Sequence, residues 1–463
     1  MEQKPTYHLI TFGCQMNKND SQRLASLLQS MGFVYEEEKE QADLVLVNTC
    51  SVRQSAEDRV FGLVRSLTEA KKQRPKMMIG ITGCMPGRDR DGAIQKRLPI
   101  VDLYFPTAQM GQLPRWIGEL RPELVNSPDL IEDYMKITPE RHTTAQAFVS
   151  IQTGCNKFCT YCVVPFARGL EKNRPLFDIL EEVRELIAHG CKEVTLLGQT
   201  VNSYRAPDPE VFSKQNPYKD HFAALLWEMN QFPEITRLHF TAPHPLHMSD
   251  EVIDAMTLPA HLNFIHLPVQ SGDDDVLRRM NRRYTSAQYV DVVHRLREQC
   301  PTIAIGTDII VGFSGESEEA FEKTVELYEN VRFDIAYIGQ YSVRSGTAAW
   351  RAFKDDVSQD EKKRRWNVIQ HMQKRIVLEK NQVFVGQTVS VLVERHEPPK
   401  ITEEMLALPG NIRDLIAQQP GTCYGNSREM KLVRFPGTKE LVGTIVEVKI
   451  NRADTWLLEG EKV

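Results

Sequence analysis

Residues 153–162 read "TGCNKFCTYC", which sets Cys155, Cys159 and Cys162 in C-x3-C-x2-C spacing with no fourth cysteine close by. Structural zinc takes four ligands and disulfides take pairs, so three clustered thiols need another explanation. The run leading in, "AFVSIQTGC", is apolar and β-branched, and the run beyond, "LFDILEEVRELIAHG", repeats with helical period. A strand therefore enters the cysteine loop and a helix follows it. The alternation continues through "EVTLLGQ", "ITRLHFT", "NFIHLPVQ", "TIAIGTDIIVGF" and "DIAYIGQYS", with helical stretches such as "TSAQYVDVVHRLREQ" between. Polar and glycine residues gather at the strand ends, where barrel enzymes keep their chemistry. Residues 146–378 are thus expected to form a partial (β/α)6 barrel with the three cysteines at its mouth.

Upstream, three apolar runs each end at a cysteine: "YHLITFGC" at Cys14, "ADLVLVNTC" at Cys50 and "KMMIGITGC" at Cys84. The helical stretches "NDSQRLASLLQSMGF" and "SAEDRVFGLVRSLTEAKKQ" separate them, so the cysteines recur once per strand-helix unit. Parallel strands bring their C-terminal ends to one edge, where open α/β sheets bind ligands. Cys14, Cys50 and Cys84 are therefore expected to converge. This predicts a Rossmann-like α/β domain over residues 1–122, followed by a Pro-rich linker over 123–145. Beyond residue 378, alternating β-branched runs broken by glycines predict a small antiparallel β-barrel over 379–463, with an insertion near 400–420.

The whole is an α/β chain of 463 residues, 41% hydrophobic and 26% charged, which excludes the disordered and fibrous classes. No apolar run is long enough to span a bilayer, and the start lacks a secretory pattern, so a cytoplasmic protein without a membrane partner is expected. In that compartment the nine cysteines stay reduced, which favours metal ligands or catalysts over disulfides. The net charge of -5 argues against a chain basic all over, but not against a local basic face.

A cubic [4Fe-4S] cluster takes four thiolates, so three leave one iron open to a substrate. Such an iron can chelate the amino and carboxylate groups of S-adenosylmethionine (SAM) and pass an electron to its sulfonium. The cofactor brings the reactivity while the protein brings position. A zinc site completed by a distant ligand is the alternative.

"GCNKFCTYCVVPFARG" resembles the radical-SAM signature of the methylthiotransferases, and "TFGCQMNKNDS" and "VNTCSVRQSAEDRVFG" resemble that family's N-terminal domain. The C-terminal barrel resembles its TRAM domain, and the likeness covers nearly the whole chain. "LLGQTVNSY", "HLPVQSGDDDVLRRMNRRYT" and "TDIIVGFSGESEEAF" are most similar to the branch acting on isopentenylated adenosine of tRNA. The resemblance implies two [4Fe-4S] clusters and SAM. Cys155, Cys159 and Cys162 would hold the catalytic cluster, and Cys14, Cys50 and Cys84 an auxiliary one concerned with sulfur delivery. It implies a methylthio group placed at C2 of N6-isopentenyladenosine at position 37, beside the anticodon. The partners would be a tRNA anticodon stem-loop, a reducing electron donor and a sulfur source, with the enzyme a monomer. Two flanks depart from the family pattern, "TGCMPGRDR" after Cys84 and "RGLEKNRP", as does the insertion; these touch RNA contacts rather than the clusters.

Tyr161 sits between ligands, where the backbone can approach adenine, and Gln199, Asn202 and Gln270 fall at strand ends, where they can bind SAM or substrate. Loop scaffolding is the competing role for all four. His244 and His247 read as loop residues, and Cys191 and Cys300 as packing; Cys423 has no evident role. The basic helix from Lys362 to Arg375, with Tyr424, Phe435 and Trp456 beyond it, offers a face for RNA. Two other readings compete: the same chemistry on threonylcarbamoyl-adenosine of tRNA or on a ribosomal-protein aspartate, and a non-catalytic iron-sulfur protein.

Overall fold

The computed structural model describes residues 4–51, 54–125, 131–140, 145–399 and 420–463. Its first unit is a parallel sheet of β1 (Thr6–Phe12), β2 (Val34–Tyr35), β3 (Leu44–Thr49), β4 (Met78–Gly83) and β5 (Leu103–Pro106), in the order β2-β1-β3-β4-β5. Every residue of β3 and β4 is buried. Both read as unbroken apolar runs because a parallel strand covered on both faces has no wet side to mark. The edge strands β2 and β5 were not evident in the sequence; two and four residues are too few to show a period.

The helix after β1 runs Gln15–Ser30 with Cys14 at its N-cap, starting earlier than "NDSQ" suggests. Asn19 and Asp20 look like capping residues but are fully buried. Asn19 donates to the Phe148 carbonyl at 3.2 Å and accepts from Ser150 at 2.9 Å, so this polar helix face is the glue to the next unit. Residues 131–140 are likewise packed rather than loose: Tyr134, Met135 and Ile137 join the core of the first sheet.

The middle unit contains β6 (Gln146–Ser150), a short hairpin of β7 (Gln152–Thr153) with β8 (Lys172–Asn173), then β9 (Glu193–Leu197), β10 (Arg237–Phe240), β11 (Phe264–His266), β12 (Ala304–Val311) and β13 (Ile335–Gln340). Two parallel three-stranded sheets, β10-β9-β6 and β11-β12-β13, meet through a bridge between Leu238 and His261. The six strands named from the sequence thus form one arc. Its β13 edge is sealed by the helix Gln359–Gln382, whose Trp366 and Gln373 donate to the Ile338 and Ala336 carbonyls.

Four of the six lysines and arginines in its Lys362–Arg375 stretch are paired with acids rather than left free. Lys362 pairs with Asp355 at 2.6 Å, Arg364 with Glu318 and Glu361, Arg365 with Glu316 at 2.8 Å, and Arg375 with Glu329. Several of the acids come from the segment after β12 and the helix Glu318–Val331, which a local reading of charge does not connect to this helix.

β14 (Thr388–Glu397), β15 (Gly421–Asn426), β16 (Leu432–Gly437), β17 (Ile445–Ala453) and β18 (Leu458–Lys462) close a barrel in the order β14-β15-β16-β18-β17. It is not wholly antiparallel, because β16 and β18 pair in parallel. Five strands cannot alternate direction around a closed ring, so at least one neighbouring pair must run the same way. The insertion near 400–420 lies almost wholly outside the described residues. The barrel seats under the N-terminal ends of the middle strands. Arg428 donates to the Thr236, Pro259 and His261 carbonyls, and Lys431 pairs with Asp334 at 2.9 Å.

Candidate active site

Phe12, Thr49 and Gly83 are register partners across β1, β3 and β4. Cys14, Cys50 and Cys84 follow these residues at the same sheet edge, on strands about 4.8 Å apart. Two of them flank the β1/β3 point where the strand order reverses, the place where open parallel sheets leave a crevice. The Cys50 amide donates to the Phe12 carbonyl at 2.7 Å, and Asn17 accepts from the Cys14 amide and thiol at 3.4 Å each. Gly83 turns the chain into the short helix Cys84–Arg88 at φ +103°, and a Cβ there would lie 2.4 Å from the Thr49 carbonyl oxygen. Only glycine permits this turn.

The second set sits on the loop after β7. The Cys162 amide closes a turn on the Cys159 carbonyl at 2.9 Å. Asn281 donates to the Lys157 and Phe158 carbonyls, while the Thr160 amide donates to the Met280 carbonyl at 3.0 Å. Each sulfur faces one N–H at 3.4 Å: Lys157 to Cys155, Arg282 Nη1 to Cys159, and Val164 to Cys162. Burial pushes the Cys155 thiol up, and burial with the neighbouring Cys159 pushes Cys162 up to about 12.

These residues fit an iron-sulfur cluster. All nine cysteines are free, and donated N–H groups on ligand sulfurs are what such clusters use. Among the described residues no three His, Cys, Asp or Glu side chains close on a single ion.

A cavity of about 640 Å³ runs through the arc, from Cys14, Gln15 and Gln199 at one end to Asp334 and Trp456 at the other. Its wall carries His266 paired with Asp308 at 3.3 Å. The other named residues are placed differently from Gln199. Asn202 is buried and tied to the His244 backbone in both directions. Gln270 bridges β12 through its backbone at φ +77°. The Tyr161 ring packs against the cluster of Val276, Met280 and Phe313. Burial holds His244 and His247 down to about 2 and about 4, so both are neutral loop supports. Cys191 and Cys423 are fully buried, and Cys300 packs against the arc's core. Of the three aromatics, Phe435 lies inside the terminal barrel and Tyr424 under Arg395 at 3.8 Å, while Trp456 is 49% exposed.

Asn281 and Arg282 were missed from the sequence. They stand some 120 positions beyond the loop they hold (|i−j| of 123 and 124), and no spacing rule links them to it.

The two cysteine loops touch. A Cβ on Gly87 would lie 2.1 Å from the Ala167 carbonyl oxygen, so the Cys84 helix and the turn after Cys162 meet backbone to backbone. Gly87→Ala is expected to cost about 1–3 kcal/mol, read as a lower melting temperature of the iron-free chain.

A six-strand parallel arc with a three-sulfur loop at its mouth is the architecture of a radical-SAM enzyme, and residues 149–328 match the Radical SAM superfamily. Residues 6–106 match the uncharacterized protein family UPF0004. The tRNA-2-methylthio-N(6)-dimethylallyladenosine synthase of Thermoanaerobacter sp. (strain X514) is 39% identical, over 99% of this chain and 92% of its own. That of Clostridium botulinum (strain Okra / Type B1) is 37% identical, over 99% and 97%. The chain belongs to this family of radical-SAM methylthiotransferases. Among solved structures, a radical SAM methyltransferase from Kitasatospora setae with cobalamin and a [4Fe-4S] cluster bound covers 75% of this chain and is covered over 77%, at 14% identity and a TM-score of 0.46.

Proposed function

We propose that this chain is a tRNA methylthiotransferase that places a methylthio group at C2 of N6-isopentenyladenosine at position 37, next to the anticodon. The observation that carries the reading is the pair of cysteine triplets, one on the radical-SAM loop and one at the sheet edge whose Cys14 opens into the through-cavity. The full-length likeness to synthases of that name supports the substrate.

Cys155, Cys159 and Cys162 would hold one [4Fe-4S] cluster with SAM, and Cys14, Cys50 and Cys84 the other. When bound, these groups supply one-electron chemistry able to break an unactivated aromatic C–H, and SAM also supplies the methyl group. The chain does the rest. Arg282 and the loop amides hold the sulfurs, Asn281 fixes the loop, and Gln199 presents an amide to the cavity. Tyr161, Asn202 and Gln270 shape the cofactor side through packing and backbone.

The sheet order β2-β1-β3-β4-β5 supports a Rossmann-like first domain over 1–122, joined by residues 123–145 to the radical-SAM arc over 146–378. The closed five-strand barrel over 379–463 supports a TRAM-like RNA-binding module, with Trp456 at the cavity as its stacking residue. No helix among the described residues is long and apolar enough to cross a membrane. A cytoplasmic monomer drawing on an electron donor and a sulfur source completes the reading.

Competition between prenylated and unprenylated anticodon stem-loops tests it, with nucleosides read by mass spectrometry. Methylthiolation is expected on the prenylated RNA alone. Equal turnover of unprenylated or threonylcarbamoylated RNA defeats the substrate assignment, and modification of a ribosomal-protein peptide without an RNA product moves it to protein.

A further inference from the structure

The strands of the arc are not packed alike. Every residue of β9 and β10 is buried, as a filled barrel interior requires. On β11, β12 and β13 the alternate pairs Phe264 and His266, Asp308 and Ile310, and Tyr337 and Gly339 stay partly or fully open. A period of two puts each pair on one face of its strand. His266, Asp308 and Tyr337 all line the through-cavity, where Tyr337 is 54% exposed.

Register brings these three together. Gly306 pairs with His266, and Asp308 with Tyr337, across adjacent parallel strands. A Cβ on Gly306 would lie 2.7 Å from His266 Nδ1, so the glycine makes room for the ring. His266 Nε2 reaches Asp308 at 3.3 Å, and its ring stands 5.5 Å from that of Tyr337. The Asp308 side chain is 40% exposed, and its one ion-pair partner among the described residues is His266. Two residues back along β11 and β13 the cavity wall turns apolar, at Phe264 and Ile335. An open aromatic face, a carboxylate with lone pairs to spare and an apolar recess suit a purine that carries an apolar substituent on its exocyclic nitrogen.

We propose that Tyr337 and the His266–Asp308 pair form the base-recognition subsite of this cavity. The Tyr337 ring stacks on the target adenine, Asp308 accepts its N6–H, and His266 holds that carboxylate in place. The prenyl group lies toward Phe264 and Ile335. The inference deepens the reading of this chain as a methylthiotransferase of N6-isopentenyladenosine and rests on it. A prenylated adenine keeps one N6–H, so a single acceptor suffices. Phosphate contacts bind any stem-loop, so the subsite is read only by comparing RNAs that differ at this base. A purely structural role for Tyr337 or Asp308 behaves differently, since its loss weakens all such RNAs alike.

The test uses the full chain, reconstituted with iron and sulfide, and three anticodon stem-loops. The first carries N6-isopentenyladenosine at position 37, the second the same base with an added N6-methyl group and so no N6–H, and the third an abasic site. Dissociation constants are read by fluorescence anisotropy, and methylthiolation of the first RNA by mass spectrometry. The parent is expected to bind the first RNA roughly ten- to a hundredfold more tightly than the abasic one, and about tenfold more tightly than the methylated one. Tyr337→Phe is expected to keep the preference over the abasic RNA and Tyr337→Leu to lose most of it. Asp308→Ala is expected to lose the preference over the methylated RNA. Parent-like discrimination by either Tyr337→Leu or Asp308→Ala overturns this inference alone, as does a parent that methylthiolates the first RNA yet binds all three alike. A parent that makes no methylthiolated product from the first RNA overturns the proposed function and this inference with it. If Tyr337→Leu fails to fold, read by circular dichroism, the Asp308→Ala comparison decides by itself.

Discussion

Replacing any one of Cys155, Cys159 and Cys162 with alanine is expected to strip about four irons per chain and to end 5′-deoxyadenosine formation from SAM under reducing conditions. The three sulfurs sit on one loop, each facing a single N–H donor, and no other cysteine belongs to that loop. On the proposed assignment these three hold a cluster already one ligand short of closure, with no spare cysteine on the loop to recruit. Losing a second therefore costs the cluster rather than merely loosening it. Iron analysis and product detection by chromatography check the two parts separately. Undiminished 5′-deoxyadenosine from such a variant would remove the radical-SAM loop from its assigned role.

The triple replacement Cys14→Ala, Cys50→Ala, Cys84→Ala is expected to divide the activity. SAM cleavage should continue while methylthiolated RNA disappears. The two sets lie on different folding units, one at the edge of the first sheet and the other at the mouth of the arc. Thr160 and its neighbours are held by Met280, Asn281 and Ala349, all within the middle unit, so the radical-SAM loop does not need the first sheet's thiols to keep its shape. Product at wild-type levels from the triple variant would show that sulfur does not pass through the sheet-edge site.

The placement of both triplets was legible in the sequence because Cys14, Cys50, Cys84 and Cys155 each end a short apolar run, with Cys159 and Cys162 in the loop that follows, and strand ends are local information. The six strands of the arc were legible for the same reason. Asn19 and Asp20 show where such reading stops. As a sequence they look like a helix cap, but the structure spends them on Phe148, Ser150 and Arg168 across a domain boundary. Similarly, the run of lysines and arginines from Lys362 looks uniformly free, but Glu316, Glu318 and Glu329 are brought against Arg365, Arg364 and Arg375.

By itself, then, the sequence determined the kind of chemistry, the parallel α/β architecture and the strand-end positions of Cys14, Cys50, Cys84 and Cys155, since spacing and periodicity are properties of neighbouring residues. Only the tertiary structure decided the strand order that gathers Cys14, Cys50 and Cys84. It alone brought Arg282 and Asn281 to a loop more than a hundred residues away, paired Arg168 with Asp20 of the first unit, and made one barrel pairing parallel. Those outcomes depend on pairings across the chain. Which groups lose water together, and which charges then need a partner, is settled only when distant segments pack.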